Sequence, residues 1–125
     1  MDVVFETSYY TLYSIPEKKC IIQRWTGSCP SDTFRETHLK SFRFFIESGY
    51  DHVVSDISVA PPLPPDDAKW AAEFMLPKYG NNGLKLLRVV KPSAVGTQHI
   101  VENLSRTGLP VQVFEDVDVA LSSVG

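Results

Sequence analysis

Residues 52–90 read HVVSDISVAPPLPPDDAKWAAEFMLPKYGNNGLKLLRVV, and the order of apolar runs and breakers within them decides the fold class. His52 to Ile57 is a short β-branched run, which predicts a strand. Ala60 to Pro65 then carries four prolines in five positions. Such a run cannot donate hydrogen bonds to a ladder or a helix interior, so it predicts a stiff extended loop inside the domain. Pro65-Asp66-Asp67 suits a helix start. A proline's missing amide is not needed in the first turn, and carboxylates favour the positive end of the helix dipole. Trp70 and Phe74, with Met75 beside them, form the expected apolar face, and Pro77 should kink or restart the helix. Gly80-Asn81-Asn82-Gly83 tolerates positive φ and closes it. Leu84 to Val90 follows as a largely apolar run, as a strand covered on both faces requires.

Working outward, the upstream residues predict a hairpin and a helix. Tyr9 to Ile15 and Cys20 to Thr26 are rich in aromatic and β-branched residues and flank the turn-like Pro16-Glu17-Lys18-Lys19. Val3 to Glu6 adds a further short strand. From Asp32 to Ser48 the pattern is that of an amphipathic helix, with Phe34, His38, Leu39, Phe42, Phe45 and Ile46 on one arc and Phe44 off it. Thr33 and Glu36 have capping-box spacing, and Gly49 provides a left-handed end. Downstream, a helix is expected from Ser93 to Thr107, capped by Gly108 with Pro110 beyond it. A last strand, Val111 to Phe114, precedes a closing helix opened by Asp116. Strand–helix alternation after an opening hairpin implies parallel pairing with right-handed crossovers, hence an open α/β sheet flanked by helices.

The totals fit one domain over residues 1–125, long enough to bury a core without metal or disulfide. A formal net charge of -3, with no basic stripe, argues against nucleic acid and against docking on an anionic membrane surface. No stretch approaches the roughly 20 apolar residues that span a bilayer, so no stable membrane insertion is expected. The opening residues lack the positive region and apolar core of an export signal, which points to the cytoplasm, with Cys20 and Cys29 as free thiols.

Three stretches carry a resemblance. Trp70, Pro77 and Gly83-Leu84-Lys85, then Glu102-Asn103, then Phe114, Asp116 and Ala120-Leu121 resemble bacterial STAS-like proteins of the SpoIIAA-like set, sometimes grouped with the lipid-binding SEC14 fold. The resemblance covers nearly the whole chain in element order. It implies a SpoIIAA/STAS-like open mixed β-sheet, with an N-terminal antiparallel hairpin followed by alternating helices and parallel strands. It also implies a non-enzymatic domain that binds a protein partner, with a phosphorylatable serine at the start of the second helix. This chain departs from that pattern: the helix starts Pro65-Asp66-Asp67-Ala68, and the nearest hydroxyl, Ser58, lies across the proline run. Asp66 and Asp67 are read first as helix-start carboxylates and second as imitations of a phosphorylated state.

Candidate binding residues are Asp56, Ser58, Asp66, Asp67, Trp70 and Arg88. Asp56 falls near the carboxyl end of a central strand, where open α/β sheets hold ligands. Arg88 falls at similar depth in the next strand, and a buried guanidinium needs a partner, so an Asp56–Arg88 pair is expected, or else Arg88 reaching a sheet edge. His38, His52 and His99 show no metal-ligand spacing, and His38 on its apolar face reads as a satisfied core residue. No nucleophile motif and no phosphate loop is present, so no cofactor, metal or catalytic residue is assigned. Tyr9 and Tyr13, on the outward set of the hairpin, and Phe44 form a candidate interface for a partner or a homodimer. The leading expectation is a STAS-type regulatory or interaction domain. The alternative is a domain binding a small apolar molecule or lipid, which requires an apolar pocket of a few hundred Å3.

Overall fold

Three antiparallel strands open the chain in the computed structural model, which describes residues 1–125. β1 (Asp2–Glu6) pairs with β2 (Tyr10–Ile15), with a shift of register between Val3 and Phe5, and β2 pairs with β3 (Cys20–Trp25). The β2–β3 connection is one 3-10 turn, Pro16–Lys18, followed by Lys19 at φ 50. Proline sets the first φ of the turn, and the left-handed Lys19 reverses the chain.

From β3 onward every strand is parallel to the one before: β4 (His52–Asp56), β5 (Leu87–Val90) and β6 (Val111–Phe114). The order in the sheet is β1-β2-β3-β4-β5-β6. Crossovers that all step the same way and share one hand must lie on one face, here called the front. They are α1 (Ser31–Ser48), the pair α2 (Pro65–Trp70) and α3 (Leu76–Asn81), and α4 (Thr97–Leu104). The main core forms beneath them, where Phe34, Phe45, Met75, Tyr79 and Ile100 meet Tyr10, Leu12, Ile21, Val53 and Leu87. The rear face holds a smaller core of Ile15, Cys20, Ile22, Val54, Val90 and Phe114 under Ala120 of α5 (Val117–Ser122). Asp116 caps α5 as expected, its carboxylate accepting from the amides of Asp118 and Val119.

The α/β class, the hairpin and the parallel alternation are those read from the sequence. Three local expectations are corrected. α1 begins at Ser31, so Thr33 and Glu36 both lie inside it and no capping box forms; the Thr33 amide takes the Asp32 carboxylate instead. The buried stripe of α1 is also rotated, because Thr37 and Ser41 are buried while Leu39 and Ile46 are exposed. The hydroxyls of Thr37 and Ser41 donate to the Thr33 and Thr37 carbonyls, and Ser41 also meets the Tyr10 hydroxyl at 2.7 Å. With its polar atoms satisfied, that edge packs on the sheet at little cost. The rotation draws Phe44 in, edge-on to Tyr50 with ring centroids 6.0 Å apart.

The third correction lies between α2 and α3, where Ala71–Met75 form a π-helical turn. Pro77 has no amide to bond the Glu73 carbonyl four residues back, and its ring crowds that carbonyl. Widening the turn relieves the clash and rotates every later side chain. Phe74, expected inside, is therefore 48 % exposed, while Met75, Leu76 and Tyr79 are buried.

Candidate functional site

The carboxyl ends of the parallel strands open on the front face into a cavity of about 1180 Å3. Its floor is Trp25, Leu87 and Val89, with Ser55 and Ile57 from β4 and its exit. One wall is Phe34 and His38 of α1, and another is Ala71, Ala72 and Leu76 of the π turn and α3. The prolines from Pro61 to Pro65 edge it, and Ile100 and Leu104 of α4 close the far side. Half of the lining side chains are apolar. The exposed Lys69, His99, Glu102, Asn103 and Arg106 stand at the rim. The volume exceeds the usual range for ligand sites, about 300–1,000 Å3, and the few hundred Å3 expected from the sequence.

Two ionisable side chains are buried in this wall. His38 is 6 % exposed, enclosed by Trp25, Phe34 and Trp70 with ring centroids 5.2, 4.8 and 5.9 Å away. Its Nδ1 is sealed from solvent and has no hydrogen-bond partner. Burial holds its pKa down at about 4, so the imidazole is neutral near pH 7 and keeps one donor and one acceptor. Asp67 is 1 % exposed. Its Oδ2 accepts from the Ser31 hydroxyl at 2.9 Å, while its Oδ1 lies 3.7 Å from Arg35 Nε, too far for either to complete a hydrogen bond. The Arg35 guanidinium also lies over the Trp70 ring, 5.3 Å from its centroid. Trp70 thus touches both polar groups, packing on His38 with one side and on Arg35 with another.

Cys29 lines the same cavity, and its pKa is raised by burial and by the carboxylates of Asp67 and Asp32. A thiol held protonated, in a cavity whose imidazole is a weak base, is the reverse of an activated nucleophile.

The candidate residues separate into two groups. Asp67 lies in the cavity wall and Trp70 directly behind it. Asp67 was read as a helix-start carboxylate; it accepts from no amide of α2, whose cap position is Pro64, and turns inward to Ser31 instead. Asp66 is exposed in the first turn. Asp56 and Ser58 line no part of the cavity. Side chains alternate along a strand, so Ser55 and Ile57 point forward and Asp56 points to the rear. There Asp56 Oδ1 accepts from the Ser58 amide and hydroxyl at 3.0 and 2.6 Å, and Oδ2 faces Arg24 at 3.6 Å.

The expected Asp56–Arg88 pair does not form. Register sets Asp56 beside Arg24 and Val90, whereas Arg88 stands beside Val54 and Gln112. Arg88 lies on an internal strand and is 7 % exposed, so it does not reach an edge either. Its guanidinium donates to the Ser123 hydroxyl and carbonyl at 2.7 and 3.2 Å and lies 3.3 Å from His52 Nδ1. A cation on the final carbonyls of α5 is where the helix dipole favours one.

The aromatic set is less exposed than its sequence positions suggest. Tyr9 is half-buried and stacks on Trp25 at 6.5 Å, Tyr13 packs against the rear core, and Phe44 against the front. The sequence reading missed the role of His38, taken as a satisfied core residue. Its signal was a histidine with Phe34 and Phe42 one turn to either side. No protein-family model matches the chain, and no curated protein sequence matches it.

Proposed function

We propose that the chain is a binding domain that holds a small, largely apolar molecule in the front cavity and performs no covalent chemistry on it. The observation that carries this reading is the cavity of about 1180 Å3, with apolar side chains over half its lining and an unbonded imidazole in its wall. Core side chains of natural domains leave few voids larger than a water, and buried polar groups are nearly always paired. A site that breaks both rules in one place is prepared for an occupant. The π turn in its wall supports the same reading, since such turns recur at functional sites.

Native mass spectrometry of the purified chain is expected to show a retained small molecule, or uptake of the uncharged probe N-phenylnaphthylamine. Ala72→Trp, whose indole fills the space, should weaken the probe by about tenfold or more. If the folded chain neither retains a molecule nor takes up the probe, the reading fails.

A second reading is a STAS-type regulatory domain that binds a protein partner or a second copy of itself. It is supported by the element order of the sheet and by the unpaired edge of β1, where Val3 is 56 % exposed. Light scattering on the chain and on Val3→Lys tests the self-association arm; monomers in both remove it.

A further inference from the structure

We propose that Pro61–Pro65 is a docking segment for a protein partner whose groove is walled by tryptophan and tyrosine, the chemistry of modules that read extended proline runs. It does not depend on what the front cavity holds. The backbone is the starting point. Proline rings fix φ at Pro61, Pro62, Pro64 and Pro65, and each residue before a proline is held to an extended ψ, here Ala60, Pro61, Leu63 and Pro64. Pro64 has φ -55 and ψ 143, within the range of a polyproline II helix. Both ends are anchored. The Ala60 amide donates to the Ile57 carbonyl, and the Pro64 carbonyl accepts from the amides of Asp67 and Ala68. The segment is thus extended before any partner arrives, which removes much of the ordering cost of binding.

Pro62, Leu63, Pro64 and Pro65 are all exposed, Leu63 at 45 %, while Pro61 is half-buried. With three residues per turn, Pro62 and Pro65 lie along one edge and Leu63 along the next, so two outward edges are apolar. The carbonyls of Pro61, Pro62 and Leu63 accept no backbone hydrogen bond. An indole N–H or a phenol O–H of the partner can donate to them while its ring packs between the prolines. A bilayer interior has no donor and would strip these carbonyls of water without return, so a protein groove fits and a lipid surface does not. From Ile57 to Pro65 the chain carries no charge, and the first charged residue beyond, Asp66, is exposed. The groove that fits is neutral along its length, with a basic side chain at the end nearest Asp66.

Calorimetric titration of the intact chain with purified WW, SH3 and EVH1 domains, all of which have aromatic-lined grooves, tests this. At least one should bind with a Kd of about 100 µM or tighter. The folded chain should bind that domain several-fold tighter than a free peptide of residues 57–67, because its ends are already fixed. Leu63→Asp should weaken binding by about tenfold or more, since it puts a charge on an apolar edge. Pro62→Ala serves as a second variant should Leu63→Asp lose its circular-dichroism signature, and it should weaken binding by about threefold or more. Asp66→Lys should weaken it about threefold at low salt and less at high salt.

No binding of the folded chain by any of these domains at about 1 mM overturns the proposal. A folded chain that binds no better than the free peptide overturns it too, because the anchored ends then add nothing or hide the segment. So does binding that is unchanged in the folded Leu63 and Pro62 variants.

Discussion

The two faces of the sheet bury charged side chains in different ways. On the rear, Asp56 is tied to Ser58 and Arg24, and Arg88 to Ser123 and His52. Asp56 holds the turn that leaves β4, and Arg88 ties β5 to the end of the closing helix, beside a space of only about 280 Å3 at His52 and Arg88. On the front, Asp67 and Arg35 stop short of a hydrogen bond, His38 makes none, and both His38 and Asp67 belong to the wall of a cavity from which their unpaired atoms are sealed. A charged residue in a sheet is therefore weak evidence of function. Hydrogen-bonding capacity left unused beside open space is stronger evidence.

The largest effect expected belongs to the front core. Phe45 is fully buried, and Phe45→Ala should lower stability by about 3–5 kcal/mol in urea unfolding. A much smaller loss would mean that the front is as loosely packed around α1 as it is at the cavity.

Next comes the pH response of His38. Its folded pKa is about 4, below the 6.5 of a free imidazole, so between those values the unfolded chain binds more protons. Stability is unaffected by this group above about pH 6.5 and falls as the pH drops towards about 4, by about 3 kcal/mol in all. Unfolding measured across that window should show the slope in the wild-type chain and its loss in His38→Met. An equal slope in both would mean that the acid sensitivity does not come from His38.

Arg88→Met should cost about 1–2 kcal/mol, because Ser123 and His52 lose a charged donor while the methionine keeps part of the packing. Hydrogen exchange should quicken in α5, and probe uptake at the front should not change. Smallest is Asp56→Ala, with a loss of about 1 kcal/mol from the Ser58 turn and the Arg24 pair, Arg24 being substantially exposed. Altered probe affinity in either rear variant would break the division between the two faces.

Much of the architecture was legible because it rests on local chemistry. The proline run, the turn at Pro16, the glycine end at Gly49 and the cap at Asp116 act within a few residues of themselves. What was not legible depends on phase and register. Asp56 was placed at the correct end of its strand, but a single step of alternation sends it to the rear. The side to which Arg88 turns follows from its pairing with Val54, and no local pattern states that pairing. Trp70 and Phe74 obey a helical period until Pro77 forces an extra residue into the turn. His38 looked like core because its neighbours are core; that its nitrogens are unmatched depends on residues far along the chain.

Because each strand lies beside its predecessor in the chain, the sheet can grow in the order of synthesis. The hairpin offers a free edge to which β4 docks once α1 has formed, and β5 and β6 extend the edge in turn without threading past earlier strands. Until α5 arrives, the hydrophobic rear of β4, β5 and β6 is bare. A chain cut before residue 117 would leave that apolar surface, Val54, Val90 and Phe114 among it, uncovered.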